Sequence, residues 1–482
     1  MSLAGPPPPP TTNPLRRLWM DVRNDRRHHE PPFPPGDPDY SLTRTRRMVR
    51  DPLGVLLEAY ERYGPVFTLR IFHERIVWVL GPEANHHVLV ANAANFVWRE
   101  GHFRELLPLL GDGLLTIDGD FHRRSRRIVL PAFHHERIAG ATGLMIEETE
   151  RAMAGLRDGA RIDVYRWTRS LAMRIAMRAL FGLDPDRERD LDAAAEFHRA
   201  LAFYGKDYWM QVPRGPGTPF ARMQRARAQL DRLVFGEIAR RRTTGERGED
   251  VLSLLLDAED EDGSRLSDRH VRDQVMTLLF AGHDTTTATI AFLVHELAGA
   301  PVWADRVAKE GRSVLDDRAL DAATLMGGGL PELDMVIDEV LRLYPAAWVG
   351  PRRSVAPFAI AGVGVPGGVS VNYSSWASHR LPDVWEAPDA FRPQRFTPEA
   401  RARIPKGAYV PFGGGSRICL GMRFGQLEIK VIATLLLRSW RFELEPGWQL
   451  AVRQTPTIGP AGGLPVRVRR APAPAPAQRA AA

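Results

Sequence analysis

The longest regular pattern in the chain starts at Ser267, a suitable N-cap, and runs to about residue 298, where Gly299 and Pro301 stop it. That is about 32 residues, or roughly 48 Å of helix, long enough to cross a whole domain. It is apolar nearly all round, which predicts a buried helix. Val271, Val275, Leu278, Gly282, Thr285 and Thr289 share one face, and their side chains shrink from bulky to small and hydroxylic midway. Such a notch predicts that something fits against it.

Helical spacing also marks residues 51–63, ended by Gly64-Pro65, the chain from Glu83 to a flexible loop at 106–115, a helix opening at Asp118, residues 137–181, a helix from Pro331 and residues 422–440. Alternating and β-branched residues predict a hairpin over 66–80 with His73-Glu74 at its tip, and hairpin strands over 361–371 around Gly367-Gly368. A short helix is expected over 376–380. The fold is thus expected to be mainly α with a small β region. Residues 193–212 are rich in aromatics, which at helical spacing are more often plain core than a site.

Composition changes the picture at both ends. Residues 1–30 combine Pro6 to Pro10 with Arg16, Arg17, Arg26 and Arg27 and have little to bury, so they read as a mostly disordered tail. Within it, Leu15 to Met20 makes one amphipathic turn, a pattern more often solvated than membrane-bound at that length. Residues 471–482 form an Ala/Pro tail. Residues 31–470 between them have no linker and read as one domain. No apolar run approaches the roughly 18 residues of a membrane span, so a soluble, cytoplasmic protein is expected.

Lys and Arg number 65 against 58 acids, a net charge of +7, but the arginines are scattered rather than striped. No nucleic-acid partner is therefore expected, and a local basic surface for an acidic protein partner is the more useful reading. The chain has a single cysteine, Cys419, which cannot close an internal disulfide. Lying just ahead of a helix it would see free N–H groups and the positive end of the helix dipole, which favour thiolate and suit a metal ligand. The plainer alternative is a small buried hydrophobe.

The neighbours of Cys419 decide between these. Phe412, Gly415, Arg417, Cys419 and Gly421 match F-x-x-G-x-R-x-C-x-G, and here the chain resembles the cytochrome P450 superfamily. Three more motifs agree in order: His122 and Arg126 as H-x-x-x-R, residues 281–286 as A-G-x-D-T-T, and Glu339 with Arg342 as E-x-x-R, followed by Arg395. The resemblance implies the P450 fold, with haem between a long distal helix and the loop and helix that carry the cysteine. Cys419 would be the thiolate ligand of haem iron. His122, Arg126, Arg352 and Arg417 would contact haem propionates, with Arg353 competing with Arg352. Phe412 would shield the sulfur, and Gly415 and Gly421 would let the backbone turn and approach the porphyrin.

By the same resemblance Asp284 and Thr285 deliver protons during oxygen activation, whereas His283, the variable position of the motif, is a packed or surface histidine. Glu339, Arg342 and Arg395 would form a buried cluster fixing the cysteine loop; Gln394 departs from the usual Glu in its outer arm. Leu278, Ala281, Gly282, Ala346, Ala347, Trp348, Val349 and Ile458 would line the substrate pocket, closed by a turn at 454–460, and residues 193–212 would lid its channel. The cofactor would be haem b, with O2 as co-substrate and no fused flavin or nucleotide domain. Electrons would come from a separate ferredoxin or flavodoxin with its reductase, docking near Arg123, Arg417, Arg423 and Lys430 on a monomer. The expected activity is hydroxylation or epoxidation of a small apolar molecule; the alternatives are a peroxide-driven peroxygenase and a non-catalytic haem sensor.

Overall fold

The computed structural model describes residues 13–183, 186, 192–206, 208–259, 263, 265–317, 320–454 and 456–471. The polyproline run and nearly all of the C-terminal Ala/Pro tail lie outside them. Helices dominate. Those that matter below are α1 (Pro14–Asp25), α2 (Leu42–Arg50), α3 (Pro52–Tyr63), α4 (Gly119–Val129), α5 (Val164–Ile175), α6 (Ala193–Leu201), α7 (Tyr208–Gln211), α8 (Pro219–Thr244), α9 (Asp268–Gly299), α10 (Pro331–Leu343) and α11 (Met422–Ser439).

The strands are β1 (Gly36–Asp37), β2 (Val66–Ile71), β3 (Glu74–Val79), β4 (Phe96–Val97), β5 (Arg161–Asp163), β6 (Gly350–Ser354), β7 (Phe358–Ile360), β8 (Val363–Val365), β9 (Ser370–Tyr373), β10 (Trp440–Leu444), β11 (Val452–Arg453), β12 (Gly459–Pro460) and β13 (Pro465–Arg470). One six-stranded sheet runs β1-β2-β3-β9-β6-β4, a three-stranded sheet runs β10-β13-β5, and β7-β8 and β11-β12 are hairpins.

The long helix forms as its sequence predicts. The Ser267 hydroxyl accepts the His270 N–H at 3.3 Å, and α9 lies at the centre of the main core, packed against α5, α8, α10 and α11. Its apolar perimeter is the reason: no face of it can be left to water.

Three expectations are corrected. Residues 14–25 are not a tail but the helix α1, capped by Asn13, whose side chain accepts the N–H groups of Leu15 and Arg16 at 3.0 and 3.1 Å. Its docking is ionic, so apolar composition could not reveal it: Asp25 pairs with Arg70 and Arg75, and Asp21 with Arg104 at 3.2 Å. Second, Gly367-Gly368 is not a hairpin turn. The turn is Ala361-Gly362, both at positive φ (49° and 74°), and it joins β7 to β8; the glycine pair instead leads into β9, which pairs with β3 and β6. Third, β4 and β5, at two and three residues, interrupt stretches read as wholly helical; strands that short carry no period.

Candidate functional site

From residue 271 to residue 294, every position of α9 is buried except Ala281, Gly282 and Thr285. These three sit at i, i+1 and i+4, on one face, so an otherwise enclosed helix is open at the predicted notch alone. A Cβ built on Gly282 would meet nothing nearer than Leu180 at 3.9 Å. The Thr285 hydroxyl donates back to the Ala281 carbonyl at 2.8 Å, and Thr287 and Thr289 do the same to His283 and Thr285 at 2.6 and 3.0 Å. Leu278 is buried just ahead of the notch.

Asp284 is buried and turned away from Thr285; its carboxylate accepts the hydroxyl of Thr457, in the turn between β11 and β12. His283 is fully buried, its Nδ1 bonded to the Leu279 carbonyl at 3.1 Å, so of the two roles expected, packed or surface, it has the packed one. The same turn is tied to the segment expected to line the pocket: Ile458 N–H donates to the Ala346 carbonyl (3.1 Å) and Trp348 Nε1 to the Gln454 carbonyl (2.6 Å). Ala346 and Ile458 are buried, Trp348 and Val349 half-buried and Ala347 exposed.

Cys419 leads into α11. Its N–H donates to the Phe412 carbonyl at 3.0 Å, closing the loop. Gly415 needs its glycine, with φ at 60°, but for a different reason than approach to a porphyrin: a Cβ there would stand 2.0 Å from the Leu89 carbonyl oxygen. The loop is thus buttressed from behind. Cys419 lies on the floor of a groove of about 300 Å³ that also takes in Arg126, Leu130, His134, His135 and Arg423. The thiol is accessible, yet enclosure pushes its pKa up, against the Gly421 N–H and Arg126, which lower it. Desolvation thus opposes the thiolate, and the Gly421 N–H and Arg126 favour it.

Beside it is a corner crowded with cations. His122 is buried on α4, and burial first, then Arg417 and Arg126, hold its ring down at about 3. Arg126 donates to the Ile418 carbonyl at 2.8 Å. Arg417 pairs with Asp118 at 2.6 Å and donates to the Ile117 carbonyl at 2.9 Å; burial draws it down to about 10. Alternation along β6 turns its two arginines to opposite sides. Arg352 points inward, over Trp98 at 3.8 Å and near Tyr373 at 5.4 Å, whereas Arg353 is half-buried with Glu100 at 3.8 Å.

Arg99, which sequence reasoning missed with its neighbour Trp98, is buried with Nη1 on Asp112 at 2.8 Å and its Nε and Nη2 unpartnered among the described residues. Among the described residues, two of the four guanidiniums here have a carboxylate, Arg99 with Asp112 and Arg417 with Asp118, and Arg126 and Arg352 have none. Burying that excess is unfavourable unless something anionic completes it. A group carrying two carboxylates, as haem does, fits.

The proximal scaffold is closed. Arg342 grips Glu339 with both nitrogens (2.7 and 2.8 Å), both residues being fully buried, and Arg395 adds a contact at 3.3 Å. Arg395 also donates to the Ala387 carbonyl at 2.8 Å. His379, not singled out from sequence, carries this cluster to the cysteine loop. Its Nδ1 meets the Arg342 carbonyl at 3.1 Å, and its Nε2 accepts the Val410 N–H at 2.9 Å, two residues before Phe412. Burial keeps that ring neutral, at about 3. Glu428 was also missed, although a lone acid in an apolar helix is a signal. It accepts the Thr286 hydroxyl at 3.1 Å, linking α9 to α11, and burial pushes its carboxyl up to about 8.

A family model described as Cytochrome P450 matches residues 41–459. Cyclooctat-9-en-7-ol 5-monooxygenase of Streptomyces melanosporofaciens is 33% identical over 422 residues, 85% of this chain and 89% of that one. Cyclooctatin synthase of the same organism is 33% identical over 430 residues, 87% and 92% of the two chains. Among solved structures, a retinoic acid-bound cyanobacterial CYP120A1 aligns with a TM-score of 0.83 and 28% identity, covering 91% of this chain and 99% of that one.

Proposed function

The chain belongs to the cytochrome P450 family, whose members include its named monooxygenase relatives, and on that premise we propose that it inserts one oxygen atom of O2 into a bulky, largely apolar substrate of isoprenoid type. The observation that carries the reading is the opening of the buried helix α9 at Ala281, Gly282 and Thr285 alone. Cys419 would hold haem b, which would supply the redox chemistry of oxygen activation when bound. Its propionates would be taken by Arg126 and Arg352, which have no carboxylate partner among the described residues, and by His122 and Arg417 beside them, the neutral His122 as an N–H donor; Arg99 is added to the set for its unpartnered Nε and Nη2. Thr285 offers the hydroxyl nearest the notch, and Asp284 recharges it once released from Thr457.

The substrate class rests on two relatives named for a cyclooctatenol or cyclooctatin and on a neighbour that binds retinoic acid. The small Ala346 and Ala347 beside Trp348 leave room for a ring system. Titrating the holoprotein with cyclic and linear isoprenoids, fatty acids and polyketides should give the spin shift of displaced iron-bound water with the isoprenoids first. A shift confined to fatty acids would reject the class.

Electrons would enter from a separate ferredoxin or flavodoxin with its reductase. The docking face needs revision. Arg417 is spent on Asp118, and Lys430 on Asp334 (2.6 Å) and the Leu325 carbonyl (2.8 Å), so neither serves. Arg423, Arg127 and Arg123 are exposed, and Arg423 lines the groove over Cys419. Arg423→Glu should slow the first reduction by roughly tenfold at low salt and flatten its salt dependence. An unchanged rate would remove Arg423 from the face.

A further inference from the structure

Asp284 and Thr285 are neighbours in sequence, yet no hydrogen bond joins them. Successive side chains leave a helix about 100° apart, and here the two point to different partners. The Thr285 hydroxyl bonds back to the Ala281 carbonyl, within the notch. The Asp284 carboxylate accepts the Thr457 hydroxyl, its one hydrogen bond among the described residues. Asp284 is 1% exposed and Thr457 6%, so water does not compete for that bond. The carboxylate makes itself felt on the side of α5, away from Thr285: burial first, and then the Asp284 charge, push the Tyr165 hydroxyl up. At rest the acid and the alcohol are disconnected.

The turn that carries Thr457 has little to hold it besides its ties to neighbours. β11 and β12 pair with each other alone, Val452 with Pro460 and Arg453 with Gly459, and a two-stranded ribbon that short is barely stable by itself. Its base rests on α5: Arg453 donates to the Tyr165 hydroxyl at 2.8 Å, and a Cβ on Gly459 would stand 2.5 Å from the same oxygen. Its tip rests on the segment after α10, through Ile458 N–H on the Ala346 carbonyl (3.1 Å) and Trp348 Nε1 on the Gln454 carbonyl (2.6 Å). One side of the turn therefore leans on the pocket wall and the other grips the acid.

We propose that Thr457 is a positioning residue that withholds Asp284 from Thr285, and that its hold depends on the pocket wall at Trp348. A buried carboxylate leaves a hydrogen bond only when another donor replaces it, and the donor beside it on α9 is the Thr285 hydroxyl. A molecule seated against Trp348 and Ile458 shifts the turn and tips the balance toward that second partner. Freed, the Asp284 carboxyl takes a proton from water and gives it to the Thr285 oxygen as Thr285 passes its own proton to the oxygen being reduced, so both groups end as they began. The electrons come from the donor protein. With the pocket empty the relay stays open-circuit. This deepens the oxygenase reading above and rests on it.

The test is electron consumption by the substrate-free holoprotein, supplied by a ferredoxin and its reductase, in H2O and in D2O. Thr457→Val is expected to raise it roughly tenfold, the effect of one hydrogen bond to a charged group, and to bring the solvent isotope effect toward one. Thr457→Ser keeps the hydroxyl and should match wild type in both. Trp348→Phe keeps the ring but loses the bond to Gln454, and should raise consumption roughly two- to threefold. Hydrogen exchange of the peptide around Ile458 should quicken in the Val and Phe variants and not in the Ser variant. In combination with Asp284→Asn, Thr457→Val should add nothing. Wild-type consumption in both Thr457→Val and Trp348→Phe would overturn the inference, leaving the Thr457 bond a plain tie between turn and helix. So would slower consumption in Thr457→Val, which would make Thr457 a carrier of protons, and so would a gain that persists with Asp284→Asn. A wild type without the red-shifted carbon monoxide band of thiolate-bound haem would remove the oxygenase reading and this inference with it; wild-type rates in a protein that has the band strike Thr457 alone.

Discussion

Replacing Arg342 by alanine is expected to leave little or no haem-loaded protein. In the native state its guanidinium holds both Glu339 oxygens and donates to the carbonyls of His379 (2.9 Å), Pro388 (2.7 Å) and Ala390 (3.3 Å). Removal leaves a fully buried carboxylate with only the longer Arg395 contact (3.3 Å) and the Arg392 N–H (2.8 Å), and breaking a buried pair costs about 3–5 kcal/mol. Against a total stability of about 5–15 kcal/mol that is decisive. The damage reaches the haem side because His379, bonded to the Arg342 carbonyl, also fixes Val410 ahead of the cysteine loop. Arg342→Lys keeps the charge but not the fork, and should fall between the two. Haem content and the thermal midpoint measure this; a midpoint within a degree or two of wild type would show that the cluster is not what holds the loop.

Thr285→Ala should have the opposite profile: a stable, haem-loaded protein that wastes its electrons. The side chain is half-buried and its one hydrogen bond among the described residues is to its own helix, so folding loses little. Proton delivery loses the hydroxyl at the notch, and general acid–base contributions of this kind are worth about 10²–10⁴-fold. Product formed per reducing equivalent should fall at least about tenfold on that basis, with the electrons recovered as hydrogen peroxide, while Thr285→Ser remains coupled. Tight coupling in Thr285→Ala would take Thr285 out of proton delivery.

The parts of this molecule that could be read from sequence are those whose signal is local. The ends and notch of α9 follow from one capping serine, one Gly-x-Pro and a change of side-chain size along a single face. The cysteine loop and the Glu339-Arg342 pair are short patterns, and both Arg342 and Arg395 reach Glu339. What could not be read depends on contacts between distant positions. Asp284 is adjacent to Thr285 in sequence, yet its carboxylate goes to Thr457, 173 residues on. Gly415 answers to the Leu89 carbonyl, and α1 is held by ion pairs that leave no periodic trace. The deficit of carboxylates around Arg126 and Arg352 likewise appears only when four arginines from four regions are brought to one corner.

The claim beneath all of this is that Cys419 binds haem iron as a thiolate, although enclosure by itself favours the neutral thiol. The absorption spectrum of the reduced, carbon monoxide-bound protein tests it directly. The account predicts the strongly red-shifted Soret band of thiolate-ligated haem in the wild type and its loss in Cys419→Ser with haem still bound. A wild-type spectrum without that shift, or a Cys419→Ser protein that keeps it, would contradict it.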